Sequence, residues 1–254
     1  MPKEKWSLLG MLRGDEPGPI ARILHNVHNK DEGEWGERCI EKLLKKRISN
    51  VYIFRNVYVP VKGNTAELDI VMLSPDGLYI FESKAYGGKI YGKTDSVNWV
   101  QYMGNKSYSF YNPIKQNENH RHDLSYALLI PQKNIFSFVV FENRADLSKI
   151  TFSENESYNV CNRNQLLSRL INTMQNRTPI FNEEQIKNIC SRLEEWSNPD
   201  TKLKEQHIQQ IKDRMFGDTC PICGKILIER KGKYGPFFAC TGYPSCKYTR
   251  QKKS

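Results

Sequence analysis

The stretch Glu67-Leu-Asp-Ile-Val-Met-Leu-Ser-Pro-Asp-Gly-Leu-Tyr-Ile-Phe-Glu-Ser-Lys84 decides the fold of this chain. It contains two apolar runs, at residues 67–73 and 78–84, which are rich in Val, Ile, Tyr and Phe and flank the turn-forming sequence Ser-Pro-Asp-Gly. Such runs on either side of a tight turn predict a β-hairpin. Because both faces of each run are apolar, we expect the two strands to lie centrally in a covered sheet.

Three charged side chains interrupt these apolar runs: Asp69, Glu82 and Lys84. Glu82 and Lys84 share one strand face and lie about 6.6 Å apart along it. Buried carboxylates require compensation, and a divalent cation beside one lysine would supply it. The structural alternative is a Glu82–Lys84 salt bridge at a strand end, with Asp69 near the sheet edge.

The spacing of Asp69 and Glu82-Ser-Lys84 resembles the PD-(D/E)xK nuclease superfamily, and residues 32–145 look like its nuclease-related domain, NERD. Further matches are Gly33-Glu-Trp-Gly-Glu37, Gly88-x-Ile90-x-Gly92, Trp99 and Asn112-Pro113-x-x-Gln116. The chain departs from the pattern at two positions. Leu68 replaces the proline that gives the PD-(D/E)xK superfamily its first letter, and Ser83 fills a position that is more often apolar. Neither departure removes a catalytic side chain.

The resemblance implies an α/β fold, with a restriction-endonuclease-like mixed sheet flanked by helices. It also implies a Mg²⁺ (or Mn²⁺) site in which Asp69, Glu82 and the backbone carbonyl of Ser83 hold the ion. Lys84 would orient the attacking water or neutralise the phosphate. These roles suit phosphodiester hydrolysis, which needs an activated water and a cation near the charge that develops at phosphorus.

Glu37 lies at the edge of the apolar stripe of a predicted helix over residues 34–47. The resemblance implies that it reaches the metal directly or through water, whereas the alternative is a solvated residue on the flank of the helix.

Gln116 follows Asn112-Pro113, where proline commonly occupies the first turn of a helix. In some relatives such a glutamine holds the substrate or the lysine, and the alternative is an exposed helix residue. His120 and His122 lie two apart on the same predicted helix, so they point to different faces and make a poor metal pair. We expect these histidines to be solvated or to face phosphate.

The C-terminal region contains Cys220-Pro-Ile-Cys223 and, after sixteen residues, Cys240 and Cys246. Two close cysteine pairs separated by strand-forming residues predict a Cys₄ zinc ribbon, in which Zn²⁺ is structural because the hairpin is too short to form a core. The flanking residues resemble the C-terminal zinc ribbons of type IA DNA topoisomerases, which bind DNA largely as single strands.

The ribbon is basic, with eight Lys or Arg against two Asp or Glu between residues 218 and 254, in a chain of formal net charge +10. Aromatic residues alternate with these cations, as a surface that stacks bases and follows phosphates requires. The candidate nucleic-acid contacts are Lys231, Lys233, Tyr234, Phe237, Tyr248 and Arg250, whereas Phe238 is assigned to packing. A protein-binding ribbon is the competing interpretation.

The sequence predicts five segments: a leader at 1–30, a catalytic domain at 31–145, its helical completion at 146–200, a solvated linker helix at 201–216 and the ribbon at 217–254. Asn162 and Asn182 are placed as N-caps of two helices. No run approaches the ~18 apolar residues of a membrane span, and no signal peptide is evident. The three remaining cysteines are expected to be reduced, as in the cytoplasm.

These observations predict a Mg²⁺-dependent nuclease that a zinc ribbon recruits to single-stranded or structured DNA, with no membrane association. The oligomeric state has no signal in the sequence. Two alternatives stay open. One is a non-catalytic DNA-binding or scaffold protein that retains a nuclease fold, and the other is a nuclease directed at RNA.

Overall fold

The computed structural model describes residues 19–61, 64–153 and 159–200, and in the C-terminal region residues 203, 205–207, 209, 220, 225–232, 235–244, 246 and 248–251. For residues 19–32, 64, 250 and 251 the description covers the backbone alone.

The strands of the nuclease-like part are β1 (Tyr52–Val61), β2 (Asn64–Ser74), β3 (Gly77–Lys84), β4 (Gly88–Lys93), β5 (Asn98–Met103), β6 (Lys106–Tyr111), β7 (Ile135–Phe141), β8 (Ala145–Thr151) and β9 (Asn159–Asn162). The helices are α1 (Pro19–Arg47), α2 (Pro113–Leu128), α3 (Arg163–Met174) and α4 (Glu183–Ser197), and a short 3₁₀ turn spans Gln132–Asn134. Strands β10 (Leu227–Gly232), β11 (Gly235–Cys240) and β12 (Thr249–Gln251) form a separate C-terminal sheet.

The main sheet has five strands in the order β1-β2-β3-β7-β9. Strands β2 and β3 form the predicted antiparallel hairpin, with Ser74 opposite Gly77 at the turn. Strand β7 pairs parallel with both β3 and β9, so the sheet is mixed and β3 lies at its centre. The predicted hairpin and its central position are therefore confirmed.

Helices cover both faces of this sheet. On one face, α2 and α4 contribute Leu124 and Leu193 to the core, both with no exposed surface. On the other face, α1 and α3 contribute Leu44 and Leu166, which are equally buried. The predicted α/β architecture, a mixed sheet flanked by helices, is confirmed. Within the described residues, no helix is long and apolar enough to cross a membrane.

Some elements depart from the sequence prediction. Helix α1 begins at Pro19, earlier than the predicted Glu34, and extends into the expected leader. Its added turns carry Ile20, Ile23, Leu24 and Val27 at helical spacing, a signal that the glycine and proline residues nearby obscured. Strands β8 and β9 lie where helical completion was predicted. Each forms by parallel pairing with a strand distant in sequence, which local pattern does not reveal.

A second sheet has the order β6-β5-β4-β8. Two glycines of the family-like motif are required by its packing. Gly88 has a φ of 73°, and a Cβ there would lie 2.2 Å from the carbonyl oxygen of Tyr102. A Cβ on Gly92 would lie 2.3 Å from the Trp99 ring. These glycines are therefore needed for the close approach of β5 to β4.

Asn112 joins this sheet to α2. Its side chain is buried, and Nδ2 donates to the carbonyl oxygens of Lys93, Thr94 and Ser96 at 2.8–3.2 Å. Its Oδ1 accepts from the backbone N–H of Ile114 at 3.0 Å, which caps the helix. One side chain thus fixes both the turn after β4 and the start of α2.

The described residues of the predicted linker, 203, 205–207 and 209, are helical. The expected solvated linker is wrong at His207, which is buried against the β1–β2 hairpin. Its Nδ1 lies 2.8 Å from Thr65 Oγ1, its Nε2 lies 3.4 Å from Glu67 Oε2, and its ring packs edge-on against Tyr58. The linker is therefore anchored to the strand that also carries Asp69.

Candidate active site and metal centre

Asp69 lies where strands β2 and β3 of the main sheet stop pairing and separate, a point that we call the fork. The pairing of β2 with β3 runs from the turn as far as Ile70 opposite Phe81. On its other side, β1 is distorted next to Asp69, because Asn56 adopts a left-handed φ of 51°. The Asp69 carboxylate accepts a hydrogen bond of 2.7 Å from the backbone N–H of Ser83. This bond holds the acid across the gap where the two strands separate.

Glu82 projects from the opposite branch of the fork and is only 2% exposed. Its Oε1 accepts a hydrogen bond of 2.6 Å from Lys84 Nζ. Its Oε2 is buried without a hydrogen-bond partner, 3.6 Å from His120 Nδ1, which also lacks one. An unpartnered buried carboxylate oxygen costs about 1–3 kcal/mol, so it is a natural ligand for a cation.

Lys84 connects the fork to α2. Its Nζ donates to Gln116 Oε1 at 3.1 Å in addition to Glu82. Burial alone would lower the pKa of Lys84, but the charges of Glu82 and Asp69 outweigh it and raise that pKa above its ordinary value. The side chain is therefore a charged ammonium near neutral pH.

The donor set at the fork suits a hard divalent cation. Burial, followed by the charge of Glu82, raises the pKa of Asp69 well above its usual range. Asp69 and Glu82 offer carboxylate oxygens, one of which has no hydrogen-bond partner, and such oxygens are the ligands that Mg²⁺ or Mn²⁺ takes from proteins. A bound cation would favour the ionised form of both carboxylates. The residues present thus fit such an ion.

Glu37 faces the protein interior rather than solvent. Its Oε2 lies 3.4 Å from Arg55 Nη2, and both side chains are mostly buried. Burial raises the pKa of Glu37 to about 7, against the opposing effect of Arg55. Gly36 permits the close approach of α1, since a Cβ there would lie 3.0 Å from Ser83 Oγ. The interpretation of Glu37 as a solvated flank residue is therefore wrong.

His120 is the site residue that sequence reasoning missed. The expected solvated or phosphate-facing position is wrong, because the side chain is buried beside Glu82. Burial lowers the pKa of His120, so the ring is neutral at pH 7. A signal was present, since His120 follows Gln116 by four residues and so shares its helix face. His122 is exposed and lies 3.4 Å from Asp123.

Three cysteines converge in the C-terminal sheet. The sulfur atoms of Cys220, Cys240 and Cys246 all lie within 4.8 Å of one another, and all three side chains are buried. The Cys240 sulfur accepts a hydrogen bond of 3.2 Å from the Gly242 N–H, as metal-bound thiolates commonly do. Cys223 lies outside the described residues. The cluster supports a structural zinc site.

Residues 32–142 match the nuclease-related domain, NERD, and residues 217–254 match the topoisomerase DNA binding C4 zinc finger. The chain therefore combines a segment similar to the nuclease-related domain with a segment similar to the topoisomerase zinc finger. This agrees with the two resemblances identified in the sequence.

An uncharacterized protein of Bacillus anthracis is 28% identical to the chain over 141 residues, which are 53% of this chain and 66% of that protein. The DNA topoisomerase 1 of Methanocaldococcus jannaschii is 46% identical over 52 residues, 20% of this chain but 6% of the topoisomerase. That of Campylobacter jejuni is 53% identical over 39 residues, with 15% and 6% covered. The match thus covers less than two thirds of the length of the Bacillus anthracis protein and a small part of the length of the topoisomerases. No solved structure shows significant similarity to the chain.

The residues suggested for nucleic-acid contact in the zinc ribbon differ in their placement. Lys231 is exposed on β10, and Phe237 on β11 is half-buried. Tyr248 is half-buried and packs against the cysteine cluster together with Phe238, so only part of its ring can meet a base. Lys233, Tyr234 and the side chain of Arg250 lie outside the described residues.

The zinc ribbon should contain one zinc ion per chain. We expect Cys240→Ser to lose that zinc and to weaken binding of single-stranded DNA at least tenfold, because metal binding supplies the folding free energy of so small a sheet. Metal analysis of freshly purified protein and a binding titration measure the two effects. Cys190→Ser, which alters a buried thiol of α4, is the control and should keep the zinc. Fewer than about half an equivalent of zinc per wild-type chain would contradict the assignment of a zinc ribbon.

The raised pKa of Glu37 gives the nuclease-related domain a pH-dependent stability. Between pH 4.5, its ordinary pKa, and about 7, the unfolded chain loses this proton before the folded chain. The stability due to protonated Glu37 is therefore present below pH 4.5 and lost as pH rises through 7. Without divalent metal, Glu37→Gln should match wild type at pH 4.5 and exceed it by about 1–3 kcal/mol at pH 8.

Urea denaturation in EDTA at the two pH values measures this difference. The exposed acid Glu195, changed to Gln, should show no such dependence. An equal difference at pH 4.5 and pH 8 would mean that Glu37 does not titrate in this range.

Proposed function

We propose that the nuclease-related domain is a Mg²⁺-dependent nuclease that hydrolyses phosphodiester bonds in DNA, and that the zinc ribbon recruits it to single-stranded or structured DNA. The observation that supports this proposal is the convergence of Asp69, Glu82 and Lys84 at the β2–β3 fork, where one buried Glu82 oxygen has no hydrogen-bond partner.

In this proposal Asp69 and Glu82 hold the metal, together with the backbone carbonyl of Ser83. A bound Mg²⁺ or Mn²⁺ supplies an activated water and stabilises the negative charge that develops on the phosphate. The hydrogen bond from Ser83 N–H to Asp69 orients one of these acids before any ion binds. Such preorganisation reduces the rearrangement needed when metal and substrate arrive.

Lys84 acts as a cation and not as a base, because its raised pKa keeps it protonated. It donates to a phosphate oxygen or orients the attacking water. Gln116 is a positioning residue, since its Oε1 holds the ammonium from α2. His120 supports the other side of Glu82, and as a neutral ring it adds no charge that would compete with a metal.

Glu37 would contact the metal through water or accept a proton during turnover. Its pKa of about 7 means that, without metal, it exists in both protonation states near neutral pH. Arg55 holds its side chain in place at 3.4 Å.

The zinc ribbon raises the local concentration of substrate. A sequence-tolerant module tethered to a catalytic domain keeps phosphates near the metal site without adding a contact there. A cytoplasmic location suits a DNA substrate and the free thiols of Cys161 and Cys190, whose pKa is raised by burial to about 11.

The test is incubation of the full chain with supercoiled, linear and single-stranded DNA and with RNA, with and without Mg²⁺ or Mn²⁺. We expect metal-dependent cleavage of DNA that Asp69→Asn abolishes. Preferential cleavage of RNA would identify RNA, and not DNA, as the substrate. If wild-type protein binds these nucleic acids but leaves all of them intact, the catalytic proposal fails and a non-catalytic binding role replaces it.

A further inference from the structure

The second sheet has one buried and one exposed face. Ile90 and Trp99 point inward and have no exposed surface. The residues that alternate with them point outward. Lys89 is paired with Tyr102, and Tyr91 is paired with Val100, so these four side chains share the outer face.

The register extends this face across all four strands. Asn98 is opposite Tyr111 on β6, and Lys149 on β8 is opposite Tyr91. We call the set the tyrosine–lysine face, and it consists of Lys89, Tyr91, Lys93, Val100, Tyr102, Tyr111 and Lys149. It runs from β8 at one edge of the sheet to β6 at the other.

The three tyrosines of this face are well exposed, at 39% for Tyr91, 44% for Tyr102 and 39% for Tyr111. The ring centroids of Tyr91 and Tyr102 are 5.0 Å apart, and the planes meet at 67°. The two rings therefore contact each other edge to face and form one exposed aromatic cluster on neighbouring strands.

The charge of the face is positive. Among the described residues of this face and its borders, three lysines stand against one acid, Asp146, which is paired with Lys89 across the β4–β8 boundary. Hydrogen bonds from Ser148 are the main reason that the pKa of Asp146 is lowered, and the charges of Lys89 and Lys149 add to this effect. A net surplus of two positive charges surrounds exposed aromatic rings.

We propose that the tyrosine–lysine face binds a single-stranded nucleic acid, with bases stacked on Tyr91 and Tyr102 and phosphates on the lysines. An exposed sheet surface that carries aromatic rings and cations is a means of holding unpaired bases without sequence preference. A duplex conceals its base faces and would not use the rings. This surface is separate from the zinc ribbon and from the metal site.

The location of the face relates it to the proposed nuclease. Lys89, the first residue of the face along the chain, is five residues after Lys84, so their Cα atoms lie within ~18 Å of each other. In this respect the inference extends the proposed function, since the face begins five residues along the chain from the lysine of the proposed site. Binding itself does not depend on hydrolysis.

The experiment measures fluorescence anisotropy of a labelled 20-nucleotide oligothymidylate with the full chain in EDTA, so that no cleavage occurs. The double variant Tyr91→Ala/Tyr102→Ala is expected to bind at least tenfold more weakly, and the Tyr91→Phe/Tyr102→Phe pair to bind within twofold of wild type, because stacking needs the ring and not the hydroxyl. Tyr126→Ala removes a tyrosine on α2 that is 63% exposed and should have no effect.

Lysine replacement gives a second measurement. Changing Lys89, Lys93 and Lys149 to alanine should lower the slope of log affinity against log salt by about 2, because each phosphate contact on a single strand contributes roughly 0.7. Labelled RNA of the same length should show the same losses, and a blunt 20-base-pair duplex should show little change when the tyrosines are removed.

Affinity of the alanine pair within twofold of wild type, with an unchanged melting temperature, would overturn the proposal. An equal loss of affinity for the duplex would also overturn it, because a duplex offers no unpaired bases on which the rings could stack. The result is independent of catalysis: if the wild type binds through this face but cleaves nothing with Mg²⁺, the face stands and the nuclease proposal fails.

Discussion

Replacing Glu82 by glutamine is expected to lower the rate of DNA cleavage by about three orders of magnitude or more. The amide is nearly the same size as the acid, but it removes a charge from the metal site and the anionic partner of Lys84 at 2.6 Å. Asp69→Asn should have a comparable effect, because it removes the second acid of the fork. Initial rates over a range of Mg²⁺ concentrations measure the loss and any shift in metal requirement.

The same variants should fold as well as wild type. In the absence of metal, burial and then the charge of nearby Glu82 disfavour the ionised form of Asp69. Asp69→Asn should therefore leave the free energy of unfolding in EDTA unchanged or raise it slightly. Loss of cleavage together with retained stability distinguishes a catalytic role from a structural one.

The control for this series is Glu184→Gln, which changes an exposed acid on α4 and should cleave at the wild-type rate. If Glu82→Gln keeps more than a tenth of the wild-type rate at saturating Mg²⁺, Glu82 is not a metal ligand of the reaction. If the variant is unfolded, the salt-bridge interpretation of Glu82 and Lys84 becomes the better one.

Asn112→Ala is expected to destabilise the nuclease-related domain by about 3 kcal/mol or more. The buried amide donates to three carbonyl oxygens and caps α2 through the Ile114 N–H. Alanine would remove the donor to the carbonyl oxygens of Thr94 and Ser96 and the acceptor of the Ile114 N–H. The Lys93 carbonyl would keep the Trp99 Nε1–H as a donor at 2.9 Å. Urea denaturation followed by circular dichroism measures the loss.

The conservative variant Asn112→Asp separates the two functions of this side chain. It keeps an acceptor for the helix cap but replaces the donor by a carboxylate that faces carbonyl oxygens, so it should be no more stable than Asn112→Ala. Asn119→Ala removes an exposed asparagine of the same helix and should cost less than about 0.5 kcal/mol. A loss under 1 kcal/mol for Asn112→Ala would show that water replaces its bonds.

The features that could be predicted from sequence are those encoded locally. Apolar periodicity and the Ser-Pro-Asp-Gly turn specify the β2–β3 hairpin, and two close cysteine pairs specify the zinc ribbon. The family-like spacing pointed to Asp69, Glu82 and Lys84, and the structure places these three side chains together at one fork.

The features that could not be predicted depend on contacts between distant segments. Strand β8 exists because β4 pairs with it, and the second sheet is therefore not visible in either segment alone. The burial of His120 depends on how α2 packs over β3. Gly92 and Asn112 were recognised in the sequence only as residues of a family-like motif. The structure shows why these residue types are needed: Gly92 leaves room for the Trp99 ring, and Asn112 donates to three carbonyl groups.

The contact of His207 with β2 determines how far the zinc ribbon can reach. Glu67, which lies 3.4 Å from His207, is two residues from Asp69, so the tether to the ribbon starts beside the proposed metal site. Cys220 is the thirteenth residue after His207, which gives a contour length of at most ~45 Å. On duplex DNA this distance corresponds to ~13 base pairs. If the proposed nuclease cuts DNA, a ribbon bound at a junction or a single-stranded gap would therefore confine cuts to about one and a quarter helical turns on either side, a spacing set by the tether and not by sequence.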